Sequence, residues 1–175
     1  MKQYQNLDGT SLLETERLVV RRWRSTDLDA IFDVYSDPEV GRWIGDGSPI
    51  TREESRLWLD VTDKNYTERG YGMYALEDKR NGRIAGFIGL THPGGQLDVE
   101  IKYAFRQSYW GQGLASEIVQ AIVSYAAETL HITKIVATVA PENKASQHVL
   151  EKSGFIFVEK RDDDAGVPEF YYVRE

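Results

Sequence analysis

The chain alternates between two hydrophobic periods, and the changes between them mark out its elements. From Arg17 to Trp23, Leu18 and Val20 alternate with charged neighbours, the period-two pattern of a half-buried strand. Met1 to Glu14 carries little pattern and is expected to form a mobile arm. After Thr26, a candidate cap, Leu28, Ile31, Phe32 and Tyr35 recur at helical spacing, and the helix should stop near Pro38. Gly41 to Pro49, which holds Trp43, has the composition of a loop. Thr51 with Glu54 three residues later is a capping-box signature, so a second helix should run through Leu57 and Val61 and close at Gly70.

Two strands, roughly Gly72 to Glu77 and Arg83 to Leu90, flank Asn81-Gly82, a strong short-range hairpin signal. Past the Gly/Pro loop Thr91 to Gln96, a strand from Leu97 to Phe105 places Leu97, Val99, Ile101, Tyr103 and Phe105 on one face. Asp98, Glu100, Lys102 and Ala104 take the other. From Gly113 the period becomes helical through Leu114, Ile118, Ala121, Ile122 and Tyr125. A strand at about Ile132 to Val139 and a helix at about Asn143 to Ser153, ended by Gly154, follow. Two closing strands, Phe155 to Lys160 and Glu169 to Arg174, flank an acidic turn at Asp162, Asp163 and Asp164. That turn suits a solvated hairpin tip or an attractor for a cationic acceptor, and the final strand could pair across a homodimer or form an edge in a monomer.

Composition narrows the chemistry. With 175 residues and 41% hydrophobic content the chain can build one self-sufficient core, so residues 1–175 are expected to form a single domain. A formal net charge of −7 argues against a nucleic-acid partner, since such modules carry a basic face. The chain has no cysteine, which excludes a disulfide framework, a zinc–thiolate site and a thiol nucleophile. No apolar leader and no membrane-length apolar run is visible, so the expectation is a soluble, cytoplasmic protein with no membrane partner. His92, His131 and His148 lack metal-ligand spacing and suit surface or capping positions; no metal is expected.

The segment Trp110-Gly111-Gln112-Gly113-Leu114-Ala115-Ser116 directly follows a strand and opens a helix. Two glycines let consecutive backbone N–H groups converge at the positive end of a helix, which suits a phosphate-bearing ligand. It is not a dinucleotide fingerprint, because Ser116 stands where a third glycine is needed and the next strand offers Val136-Ala137-Thr138 in place of an acid. Nor is it a P-loop, since no Gly-Lys-Ser/Thr ends it.

The order of elements, together with Thr15-Glu16-Arg17-Leu18, Asp37-Pro38-Glu39-Val40, Tyr109-Trp110-Gly111-Gln112-Gly113 and Glu151-Lys152-Ser153-Gly154-Phe155, resembles the GCN5-related N-acetyltransferase (GNAT) superfamily. Within it, the likeness is to the branch of Rim-type ribosomal-protein N-terminal acetyltransferases. The resemblance covers Glu16 to the C-terminus. It implies an α+β fold with a mixed, mostly antiparallel twisted sheet, splayed near its middle, and helices on both faces. It also implies acetyl-CoA as co-substrate, its pantetheine against the backbone of Tyr103, Ala104 and Phe105. The diphosphate would lie on amides of Gly111, Gln112, Gly113, Leu114, Ala115 and Ser116, with Asn143 hydrogen-bonded to the pantetheine arm.

Acetyl transfer to an amine needs the neutral amine, and at pH 7 a lysine-like amine (pKa about 10.4) is nearly all protonated while an α-amine (about 7.8) is not. The resemblance puts Glu100 beside the thioester as base or water positioner; the strand pattern equally suits a carboxylate paired with Lys102. A departing thiolate costs only about 2 kcal/mol to expel unprotonated, so an acid helps without being indispensable. Many members of the superfamily carry a tyrosine acid where this chain has Leu150. The Rim-type branch has a serine instead, here Ser146, either a donor to the sulfur or an ordinary first-turn helix residue. A backbone N–H of the Tyr103 to Phe105 strand would polarise the thioester carbonyl. Trp43, Trp58, Tyr71 and Tyr74 could line an acceptor pocket or simply pack. The expected reaction is direct acetylation of a primary amine, with a peptide α-amine slightly favoured over a polyamine, amino acid or aminoglycoside. The rival is a non-catalytic acyl-CoA sensor or scaffold.

Overall fold

The computed structural model describes residues 6–45 and 47–175. Its eight strands and five α-helices form an α+β fold whose strands pair mostly antiparallel. The chain divides into two compact units, Met1–Gly89 with Tyr103–Leu114, and Leu90–Lys102 with Ala115–Glu175.

In the first unit β1 (Ser11–Glu14), β2 (Leu18–Arg21), β3 (Met73–Asp78) and β4 (Ile84–Thr91, its residues up to Gly89) form an antiparallel meander. The mobile arm expected before Glu14 gives way to structure there. Ser11 to Glu14 pairs with β2, Asp8 bridges Arg24, and Leu7 is buried; the arm's first five residues lie outside the described ones.

Helix α1 (Leu28–Ser36) is entered through Asp27 rather than Thr26. Asp27 Oδ2 accepts the Arg24 N–H (2.8 Å) and the guanidinium of buried Arg21 (2.8 Å), whose Nε also reaches Glu77 (2.8 Å). Where the first helix was expected to stop, a short helix follows, α2 (Pro38–Gly41), with Asp37 capping the Glu39 N–H (2.9 Å), and it takes in only the first residue of the loop expected from Gly41 to Pro49. Asp46, in the rest of that loop, lies outside the described residues.

Helix α3 (Arg52–Arg69) has the expected reciprocal box between Thr51 and Glu54 (2.7 and 3.2 Å), and Gly70 ends it in the left-handed region. Its buried stripe is Ser55, Leu59, Thr62 and Tyr66, whereas Leu57 and Val61, through which the helix was expected to run, are exposed. Small Ser55 and Thr62 are what let the helix lie close, and Ser55 returns its hydroxyl to the Thr51 carbonyl (2.9 Å).

The β3–β4 hairpin turns through Gly82 in the left-handed region. Asp78, 2% exposed, collects the N–H and Nε of Arg80 (2.9 and 3.1 Å) and the Asn81 amide (3.3 Å). Hydrogen bonds from Arg80 outweigh burial and push the Asp78 carboxyl down to about 2. Gly86 explains how β4 meets Tyr103–Phe105: a Cβ there would sit 2.1 Å from the Ala104 carbonyl oxygen. The Arg106 N–H completes this contact on the Ala85 carbonyl (2.8 Å).

The second unit contains the first four residues of β5 (Val99–Phe105), all but the first residue of α4 (Leu114–Glu128), then β6 (Ile135–Val139), α5 (Lys144–Lys152), β7 (Ile156–Asp162) and β8 (Pro168–Arg174). Strand β5 begins two residues later than its alternation suggests, and Leu97 is 97% exposed. The strand order is β5-β6-β8-β7, with β6 parallel to β5 and the other pairs antiparallel. The final strand, expected as an edge, therefore lies between two neighbours, and the edge is β7. Ile118, Val119, Ile122 and Val123 of α4, Ile135 to Ala137 of β6, Leu150 and Tyr172 are buried. Asp163 closes the last hairpin by accepting the N–H groups of Ala165 and Val167 (2.9 and 2.8 Å), a turn-building role.

Candidate active site

The glycine segment is built by local rules. A single 3₁₀ turn at Gln107–Tyr109 ends β5, and the Trp110 indole N–H donates to the Phe105 carbonyl (2.8 Å). Gly111 and Gly113 then take φ of 71° and 77°, a region side chains rarely adopt, and α4 begins at Leu114. Gly111, Gln112 and Gly113 are exposed. A Cβ on Gly111 would meet nothing within 4 Å, so its glycine serves backbone conformation, not close packing. The first N–H groups of α4 have no intrahelical acceptor and carry the positive end of its dipole. The arrangement fits a diphosphate chemically: exposed main-chain donors, no carboxylate in the turn itself, and a helix end behind it.

Beside the loop, in the same unit, lies a cleft of about 40 Å³ lined by Arg17, Leu18, Asp78, Arg80, Gln112 and Leu114. Arg17 Nη1 donates to the Gln112 carbonyl (2.7 Å), a contact spanning 95 residues of sequence. The Gln112 side chain donates to the Ser108 carbonyl (2.9 Å).

Glu100 is 3% exposed and its carboxylate is surrounded by donors. Oε1 accepts the Thr138 hydroxyl (2.6 Å) and faces Lys102 Nζ (2.5 Å), and Oε2 accepts the Gln96 amide (3.3 Å). The pairing with Lys102 that the strand pattern suggested is thus present. Thr138 also accepts from Lys102 (3.4 Å), so the three groups form one polar cluster. Asp98, two residues earlier, is occupied by Lys134 (2.9 Å) and the Tyr171 hydroxyl (3.5 Å).

The parallel ladder of β5 with β6 covers only Val99↔Ile135 and Glu100↔Val136. Lys102, Tyr103 and Ala104 are half-buried and Phe105 is buried.

Asn143 caps α5, its Oδ1 accepting the Ser146 N–H (3.1 Å). The cap brings the two predicted residues together. Leu150, where many family members carry a tyrosine, is 1% exposed and belongs to the core. Of the predicted residues, Tyr103, Ala104, Phe105, Gly111, Gln112, Gly113 and Leu114 belong to the first unit, and Glu100, Ala115, Ser116, Asn143 and Ser146 to the second.

Three of the four aromatics weighed for an acceptor pocket have ring or cation partners. Trp58 sits edge-on to Trp23 (5.4 Å between centroids) and donates to the Tyr35 hydroxyl (2.9 Å), while buried Tyr74 stacks on Tyr66 (5.4 Å). Burial pushes the Tyr35 hydroxyl up, so it stays a neutral core partner. Trp43 remains 36% exposed under the Arg42 guanidinium (4.7 Å). His92 Nδ1 contacts the Gln96 carbonyl (2.9 Å), and His148 is exposed. Among the described residues no three His, Asp or Glu side chains converge as a metal site, and no helix is long and apolar enough to cross a membrane.

Arg17, Gln96 and Thr138 were not singled out by the sequence reading. Arg17 stood in the Thr15 to Leu18 motif without a role of its own, whereas Thr138 is recognisable only once the β5–β6 register is known.

A strand carrying a buried carboxylate, a left-handed glycine turn and a helix follow one another along the chain, the order that the GNAT resemblance implies. Residues 17–156 match the family model described as acetyltransferase (GNAT) domain, and the chain belongs to that family. It is an acyltransferase, with N-acetyltransferases among its relatives. It is 32% identical over 146 residues to the uncharacterized N-acetyltransferase YoaA of Bacillus subtilis, covering 82% of each chain. It is 27% identical over 153 residues to the [ribosomal protein uS5]-alanine N-acetyltransferase of Escherichia coli, covering 82% of this chain and 77% of that one. An acetyltransferase structure of the GNAT family from Bacillus anthracis superposes with a TM-score of 0.78 at 26% identity, over 92% of this chain and 96% of that one. RimL, a ribosomal L7/L12 α-N-protein acetyltransferase solved with coenzyme A, shares the fold at a TM-score of 0.79 and 18% identity, over 94% and 97% of the two chains.

Proposed function

We propose that this protein is an acetyl-CoA-dependent N-acetyltransferase that transfers the acetyl group directly to a primary amine, with a peptide or protein N-terminal α-amine as the favoured acceptor class. The observation that carries the reading is the pair of exposed, left-handed glycines, Gly111 and Gly113, just ahead of α4. The kinship with the uS5-alanine N-acetyltransferase favours the α-amine. So does chemistry: an α-amine is already partly neutral near pH 7 and asks less of a base.

Bound acetyl-CoA would supply the acetyl group as a thioester. In this reading the amides from Gly111 through Ser116 hold the diphosphate, the backbone of Tyr103, Ala104 and Phe105 and the Asn143 amide hold the pantetheine, and a β5 N–H polarises the carbonyl. As the N–C bond forms and the C–S bond breaks, Glu100 takes the amine proton, directly or through water. The Thr138 hydroxyl and Lys102 ammonium keep that carboxylate oriented. The Ser146 hydroxyl donates a hydrogen bond to the leaving sulfur. No acetyl-enzyme is required, in keeping with a chain that has no cysteine.

The test is calorimetric titration of acetyl-CoA followed by release of free coenzyme A across a panel of α-amino peptides, polyamines, amino acids and aminoglycosides. The reading expects saturable binding and release that depends on the amine, fastest with an α-amino peptide. Binding without amine-dependent release would make the protein a sensor, and absence of binding would end the reading altogether.

A further inference from the structure

We infer that Arg17 is the positioning residue that sets the direction of the diphosphate-binding amides, an inference that rests on the coenzyme reading above. The Arg17 guanidinium donates through Nη1 to the carbonyl oxygen of Gln112 at 2.7 Å, and its Nη2 lies 3.7 Å from where a Cβ on Gly113 would stand. The side chain therefore sits against one side of the Gln112–Gly113 peptide.

A trans peptide is planar and points its C=O and N–H in opposite directions. Holding the Gln112 carbonyl toward Arg17 consequently turns the Gly113 N–H away from it. That peptide joins an exposed residue to a glycine, and Gly111 on the other side is a second glycine, so the loop has little steric resistance of its own to a peptide flip. A flipped peptide would present an oxygen lone pair where an anion needs a donor.

Arg17 is well placed for the task because it is anchored at both ends. Its carbonyl accepts the Lys79 N–H (3.1 Å), and the next residue, Leu18, is the buried start of β2. The Arg17 side chain is half-buried beside the small cleft that Asp78, Arg80 and Leu114 also line. Arginine suits the position because its charge is permanent and its planar fork donates in a fixed direction.

The experiment compares two ligands in three proteins. Coenzyme A and acetyl-pantetheine, which lacks the diphosphate, are titrated into the wild type, Arg17→Ala and Arg17→Lys, with thermal melts recorded for each. Arg17→Ala should weaken coenzyme A by roughly 10- to 100-fold, the scale of one lost charge-assisted hydrogen bond, and leave acetyl-pantetheine within about 2-fold. Arg17→Lys, which keeps a donor for the same carbonyl, should recover most of the loss and keeps the test open if the alanine variant does not fold. Equal weakening of both ligands, or unchanged coenzyme A affinity in Arg17→Ala, overturns the role given to Arg17. A wild type that takes up no coenzyme A overturns the coenzyme reading itself, a different failure.

Discussion

The glycine turn at Gly111 to Ser116 and the polar cluster at Glu100 are assigned to one reaction but constructed in opposite ways. The turn works through main-chain groups, so its chemistry follows from two residues with left-handed φ and the start of a helix, all within six positions. The Glu100 carboxylate works through its side chain, and its surroundings come from Gln96, Lys102 and Thr138, the last 38 positions away. A main-chain site depends first on its glycines, and here also on the one side chain, Arg17, that holds the Gln112 carbonyl. A side-chain site can be tuned, or disturbed, from any of its neighbours.

The sharpest way to separate the two regions is to damage each alone. Glu100→Gln keeps an oxygen for the Thr138 hydroxyl but cannot take a proton. It should lower kcat by roughly 100-fold or more while leaving acetyl-CoA affinity unchanged. An unaltered pH–rate profile would remove Glu100 from the mechanism. The complementary change is Gly113→Val, which forces a β-branched residue to φ near 77°. Strain of this kind should weaken acetyl-CoA by roughly 10- to 100-fold in calorimetry. The Glu100 cluster should keep its stability contribution in that variant.

These contrasts also explain what could be read in advance. The Thr51–Glu54 box, the Asn81-Gly82 hairpin, the Asn143 cap and the glycine turn are local, and each stands where its residues implied. Ser11–Glu14 was missed because a strand of four residues is too short to show a period, and its register comes from β2. The inward face of α3 is not legible from hydrophobicity, because buried Ser55 and Thr62 are polar while apolar Leu57 and Val61 are exposed. Thr138 and Arg17 were invisible as site residues for a common reason: each meets its partner only through non-local contact, 38 and 95 positions away. The ring partners of Trp58 and Tyr74 have the same origin, since Trp23 and Trp58 meet edge-on from distant positions.

Smaller effects sharpen the comparison further. Thr138→Val removes a 2.6 Å donor from the buried Glu100 carboxylate and should cost about 1 to 3 kcal/mol in urea unfolding, with acetyl-CoA affinity intact. A stability loss accompanied by an equal loss of affinity would mean that the turn and the cluster are not separable. The mildest test concerns Asp78, beside the glycine turn's cleft, whose carboxyl is held at about 2 against an ordinary 3.8, chiefly by Arg80. Because the folded value is depressed, its contribution is full above the ordinary value and is lost as pH falls through 3.8 toward 2. The urea midpoint should therefore drop over that window in the wild type and drop less in Asp78→Asn. Parallel curves would show that the Arg80 contact contributes nothing in solution.

The most direct test of the central claim is the backbone amide spectrum of the ¹⁵N-labelled protein titrated with coenzyme A. If main-chain donors at the glycine turn hold the diphosphate, the amide protons of Gly111, Gly113 and the first residues of α4 move downfield with saturation, and acetyl-pantetheine leaves them in place. Coenzyme A that saturates the protein while those resonances stay fixed would contradict the account.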